Sequence, residues 1–324
     1  MDGFRTIAIS LLVAVTAATS PTPALAQTFP TKAIRFIAGG AGSPADMRVR
    51  QVAEKLKESL GQPVVVDNRP GANGAIGAKL AARAAPDGYT LFNCTILHAL
   101  NDLLNPDPSS RLNKELVPIT RLTSGPPILA VNPSIPAASL HEFIALAKAR
   151  PGALSYAASS QGSVIHLLGE LIKSKAGINI RAISYKFTSQ EIPDVLGGHI
   201  NGTLNYYNIL GPHINSGKLR ALAVASAKRL QAAPAIPTMS EAGLPGAEAT
   251  GWNGVCVPAG VPQPVIDLLH REVVRALNDP VIRNQIIETG ATVGGDRPEE
   301  FAAYIRADLI KWGKVIKDSG ISAQ

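Results

Sequence analysis

The stretch Ile34-Arg35-Phe36-Ile37-Ala38-Gly39-Gly40-Ala41-Gly42-Ser43-Pro44-Ala45-Asp46 decides how this chain is read. Its first five residues form a short, mostly apolar run, as expected of a strand buried in a parallel sheet. The glycines that follow let the backbone turn sharply and approach a guest closely. Pro44 or Ala45 suits a first helical turn, and Ser43 or Asp46 suits its cap. Beyond them Val52, Leu56 and Leu60 recur at helical spacing with charged residues between. A helix start carries free N–H groups and the positive end of the macrodipole, so a strand, turn and helix in this order can receive an anion. A plain strand-to-helix connection is the other reading this stretch leaves open.

The chain has 324 residues, 46% of them hydrophobic, which is enough for a full core and by length suggests two domains. The net charge of +7 comes from scattered residues, with no Lys/Arg run interleaved with aromatics, which argues against nucleic-acid binding. Arg5, the apolar segment Ile7 to Ala18 and the small-x-small run Ala24-Leu25-Ala26 read as a signal peptide cleaved after Ala26. The apolar segment is too short to span a bilayer, and a retained anchor is the alternative. The expected product is an exported, periplasmic, soluble protein beginning at Gln27. Cys94 and Cys256 could pair in an oxidising compartment, but their spacing does not bring them together. No CxxC or His/Cys cluster suggests a metal, and no cofactor is expected.

Further along, Pro63 to Val66 reads as a second strand, Ile76 to Ala85 as a helix and Tyr89 to Asn93 as a third strand, which together imply a parallel sheet. Leu129 to Val131 is a strand, and Ser139 caps a helix to about Arg150 with Glu142 in the capping-box position. Leu154 to Ala157, the turn Ser159-Ser160-Gln161-Gly162-Ser163 and a helix from Val164 to Lys175 repeat the opening arrangement. A strand near Ile180 to Tyr185, a helix near Ser189 to Leu196 and strands at Ile200 to Leu204, Leu219 to Ser226 and Asn253 to Val257 follow, then three C-terminal helices. Two strand–turn–helix units, one in each half, predict an α/β architecture of two lobes facing across a cleft.

Other readings are weighed against this one. Gly40 to Ala45 matches GxGxxA after a strand, and Asp67 ends the next strand where a ribose-binding acid would sit. Asp46 would then put negative charge beside a pyrophosphate, and export would remove the protein from the cofactor. For hydrolysis, Ser163 and His166 lie three residues apart, yet no serine stands in a GxSxG elbow and no nucleophile–base–acid order emerges. The small-residue turns are better suited to holding a carboxylate by neutral hydrogen bonds. Lys186 could add a positive charge, and Asn205-Tyr206-Tyr207-Asn208 an amide and an aromatic wall.

Several runs then carry a resemblance. Gly61-Gln62-Pro63-Val64-Val65-Val66-Asp67-Asn68-Arg69-Pro70-Gly71-Ala72-Asn73-Gly74, Ala85-Pro86-Asp87-Gly88-Tyr89-Thr90-Leu91, Gly217 to Val224, Pro237 to Gly246 and Pro258-Ala259-Gly260 together make the chain resemble the Bug family, the exported solute-binding proteins of tripartite tricarboxylate transporters. The resemblance covers essentially the whole mature chain. It implies a two-lobed α/β fold of the type II periplasmic-binding class, with lobes joined by two crossing strands. The boundaries that follow are 27–122 with 251–324 for the first domain and 123–250 for the second. It implies a small organic anion, usually a carboxylate, in the cleft, and as partners the membrane permease subunits or a signalling sensor, with the receptor a monomer. The ligand-binding residues it points to are Gly42, Ser43 and Asp46 in the first turn, Thr95 and His98 after the third strand, and Ser159, Gly162 and Ser163 in the second turn. Tyr185, Lys186 and Asn205 at later strand ends complete the set. The first turn is shorter than the family's and lacks its phenylalanine, Phe187 stands where the family has glycine, and Asn205 stands where it usually has aspartate. A less acidic pocket follows, with Phe187 and Tyr207 as a floor for an aromatic or cyclic acid.

Overall fold

The computed structural model describes residues 29–104, 112–158, 162–185 and 188–319. The signal segment, Ser159, Lys186 and Phe187 lie outside the described residues. The chain opens with β1 (Ile34–Ala38), α1 (Pro44–Leu60), β2 (Val64–Asn68), a short 3-10 turn (Ala72–Gly74), α2 (Ala75–Ala82) and β3 (Thr90–Thr95). β1 is buried at four of its five positions and pairs in parallel with β2 on one side and β3 on the other. α1 begins where the residue types predict: Ser43 is its N-cap, Pro44 its first residue, and Gly61 ends it in the left-handed conformation. Its inner face, Val49, Val52, Ala53 and Leu56, is buried.

Next come α3 (Ile96–Leu104), α4 (Leu112–Glu115), β4 (Leu116–Gly125) and β5 (Pro127–Val131). Neither α3 nor β4 was expected. β3 runs directly into α3, which carries His98 in its first turn. Then follow α5 (Leu140–Ala149), β6 (Ser155–Ala158), α6 (Val164–Ala176), β7 (Arg181–Ser184), α7 (Thr188–Leu196), β8 (Gly202–Tyr206), α8 (Tyr207–Asn215) and β9 (Arg220–Val224). The chain closes with β10 (Gly251–Pro258), α9 (Gln263–Leu277), α10 (Pro280–Glu288), β11 (Thr292–Val293) and α11 (Pro298–Ser319).

These strands form two sheets, a six-stranded one in the order β11-β4-β10-β3-β1-β2 and a five-stranded one in the order β7-β6-β8-β5-β9. β6 pairs in parallel with β7 and β8, as β1 does with β2 and β3. This is the two-lobed α/β architecture the sequence predicts. The passage between lobes uses β4, which runs into β5 with only Pro126 between them, and β10, which returns antiparallel beside β4 with Gly251 opposite Gly125. α11 straps this crossing. Arg121 on β4 forms a two-pronged ion pair with Asp296 and lies over the Tyr304 ring, while the Trp252 indole donates to Asp308 at 2.8 Å. Cys94 on β3 and Cys256 on β10 are disulfide-bonded, with Cα atoms 5.9 Å apart. The antiparallel register supplies the proximity that a separation of 162 residues conceals.

Candidate ligand-binding site

The C-terminal ends of β1 and β6 each run into a Gly-Ser turn, and the two turns are one construction made twice. Gly42 has φ +76° and Gly162 φ +75°, the left-handed region that glycine enters without steric cost. The serine after each is extended and caps the following helix, α1 or α6. Ser43 Oγ accepts the Asp46 N–H at 3.1 Å, and the Gly42 N–H donates back to Asp46 Oδ2 at 2.9 Å. Ser163 Oγ accepts the His166 N–H at 3.2 Å, and the Gly162 N–H donates back to His166 Nδ1 at 3.1 Å. In both turns the serine oxygen is used as an acceptor, so its own proton remains available to donate outward.

Asp46 is 2% exposed and is bonded within its own lobe. Its carboxylate also accepts from Asn68 Nδ2 at 2.7 Å and from Arg50 Nε at 3.0 Å. Burial alone would raise its pKa, but the hydrogen bonds from Asn68, the Gly42 N–H and Arg50 outweigh it and hold the group below the usual aspartate value. The Gly42 N–H is therefore committed to the frame of the turn. The N–H groups of Gly40, Ala41 and Ala45 have no acceptor among the described residues.

Thr95 and His98 are bonded to each other. The Thr95 N–H donates to His98 Nδ1 at 2.9 Å, which places the imidazole proton on Nε2, against the Gly74 backbone. Desolvation pushes the His98 pKa down to about 4, so the ring is neutral. A Cβ on Gly74 would stand 2.2 Å from His98 Nε2, so this packing requires glycine there. α3 carries the assembly across to the other lobe. A Cβ on Gly162 would stand 2.3 Å from Leu104 Cδ1, which puts the second turn against the last residue of α3.

The second lobe engages its predicted residues internally as well. The Tyr185 hydroxyl donates to Asp194 at 2.6 Å, and burial followed by that bond moves its pKa up to about 12. Asn205 is 2% exposed; its amide donates to both Glu191 oxygens at 3.1 and 3.3 Å, and its Oδ1 accepts the Tyr206 N–H. The run Asn205 to Asn208 is the end of β8 and the start of α8. The Tyr207 ring packs over Gly211 of its own helix, and its Cβ lies beside Gly290. The sequence reading missed Glu191, a carboxylate 1% exposed and held by Thr203 as well as Asn205. No motif marks it, and only the packing of α7 on β8 brings it to Thr203 and Asn205.

Two shallow grooves, of about 450 and 530 Å³, lie on outer strand edges, one along β9 and one along β2, away from both turns. The hydrolase geometry is not formed at Ser163. The contact between Ser163 Oγ and His166 is to the backbone N–H, and the imidazole Nδ1 is occupied by Gly162.

A family model described as a tripartite tricarboxylate transporter family receptor matches residues 48–321. Protein BugT of Bordetella pertussis is 36% identical over 301 residues, covering 92% of each chain. A solved structure of an R. palustris protein with adipate is 32% identical with a TM-score of 0.80, over 91% of this chain and 99% of that one. MatC from Rhodopseudomonas palustris, solved with bound malate, is 27% identical with a TM-score of 0.75, over 89% of this chain and 100% of that one.

Proposed function

The chain belongs to the tripartite tricarboxylate transporter receptor family, and from that premise we propose that it captures a small carboxylate between its lobes and presents it to the membrane subunits of a tripartite transporter. The observation that carries this reading is the pair of Gly-Ser turns, each locked by its own capping ring with a serine proton left to donate. The carboxylate sits in the first turn, on the Ser43 hydroxyl and the free N–H groups of Gly40, Ala41 and Ala45. Ser163, with Ser159 in the same turn and Lys186 just after β7 in sequence, closes on the ligand from the second lobe. Gly42, Asp46, Thr95, His98, Gly162, Tyr185 and Asn205 hold these donors in place. Adipate and malate in the two similar structures support the ligand class. The division into 27–122 with 251–324 and 123–250 is supported by the two sheets, and export follows cleavage after Ala26.

The receptor binds without chemistry. Thermal-shift and calorimetric screening of the mature protein with organic acids tests this. Expected is a stabilising carboxylate recovered unaltered, with affinity lost in the Ser43→Ala, Ser163→Ala double variant. Conversion of the ligand, abolished by Ser163→Ala, would overturn the reading in favour of a hydrolase.

A further inference from the structure

Glu191 anchors the Asn205 amide, and its setting is unusual for a charge. It lies in the first turn of α7, where the helix dipole favours an anion. One of its oxygens accepts the Thr203 hydroxyl, and both accept the Asn205 amide, which cannot turn round because its own oxygen takes the Tyr206 N–H. These donors suit an ionised carboxylate, although burial pushes its pKa up. Among the described residues no cation forms an ion pair with it, whereas Asp46 in the first lobe has Arg50. The location matters. β6, which leads into the Ser163 turn, lies beside β8 with Ala157 opposite Thr203, so Glu191 is bound to the strand next to the one that carries the turn. A buried negative charge acts at longer range than a solvated one.

Resting on the carboxylate-receptor reading, we propose that Glu191 is a specificity determinant. It disfavours a second carboxylate at the second-lobe end of the ligand and selects carboxylates whose far end is a hydrogen-bond donor, a hydroxyl or an ammonium. The Ser163 oxygen can take one such donor, and the field of Glu191 favours it.

Calorimetry on the mature protein, unfolded and refolded to strip retained solute, tests this with two matched series. One is adipate, 6-hydroxyhexanoate and 6-aminohexanoate; the other is succinate, 4-hydroxybutyrate and 4-aminobutyrate. Expected is that, in a series that binds, a hydroxy or amino acid outranks its diacid by about tenfold or more. Glu191→Gln should shrink that ratio below about threefold while far-UV circular dichroism is kept. A wild-type preference for the diacid overturns the inference and leaves the carboxylate reading standing; this needs no variant to fold. So does a ratio unchanged in Glu191→Gln. A receptor that binds no member of either series overturns both.

Discussion

Replacing Asp46 by alanine should dismantle the first turn, and the structure sets the size of the effect. The carboxylate accepts three hydrogen bonds, from the Gly42 N–H at 2.9 Å, Asn68 at 2.7 Å and Arg50 at 3.0 Å. A hydrogen bond to a charged group contributes about 1.5–3 kcal/mol. The Arg50 side chain is 51% exposed, so it resolvates and its share is under about 1 kcal/mol. The other two bonds together contribute about 3 kcal/mol, and a negative charge in the first turn of α1 about 0.5 kcal/mol more. A loss of roughly 3–4 kcal/mol is expected, or about 6–15 °C in Tm. Asp46→Asn keeps one oxygen for both Gly42 and Arg50 but turns an amide toward Asn68, so it should lose roughly half as much. The native pKa is held below the unfolded value. The contribution is therefore present above the unfolded pKa, near 3.9, and disappears as pH falls through the lower native value. Urea denaturation at pH 7 and at pH 3, with carboxylate titrations at pH 7, makes the measurement. An Asp46→Ala protein with an unchanged urea midpoint and an unchanged Kd at pH 7 would refute the capping-ring account.

Three further outcomes are expected. Removing the disulfide with Cys94→Ala and Cys256→Ala opens a loop of 162 residues; the chain-entropy relation puts the loss near 5 kcal/mol and common experience at about 2–4, so a change under about 1 kcal/mol in denaturant titration would contradict it. Gly42→Ala has open space at its Cβ and should cost only the left-handed backbone, about 1 kcal/mol. Gly162→Ala adds the collision with Leu104 and should cost more in both stability and ligand affinity, and equal costs would show that the lobes do not meet there. His98 has a native pKa near 4 against about 6.5 unfolded, so stability is complete above pH 6.5 and falls by about 3 kcal/mol as pH drops to 4; His98→Gln should flatten that slope in denaturation midpoints measured from pH 7 to pH 4.

Local chemistry made much of this protein legible in its residues. Ser43, Pro44 and Gly61 mark the ends of α1 because capping and glycine's left-handed freedom act within a few residues. The Gly42-Ser43 and Gly162-Ser163 turns are visible for the same reason, as is the alternation of strand and helix that predicts two lobes. What lay beyond reach depends on contacts between distant segments. β4 is read only once β10 lies beside it, and Cys94 meets Cys256 only through that same sheet. The site divides in the same way. Residue types picked out Asp46, His98, Tyr185 and Asn205 as polar groups at strand ends, but a polar side chain can face a guest or its own lobe with equal local propensity. Tertiary packing turned all four inward, and it alone placed Glu191 beneath Asn205. Sequence names the groups available at a mouth; which of them are spent on the frame is decided by the partners that burial obliges each one to find.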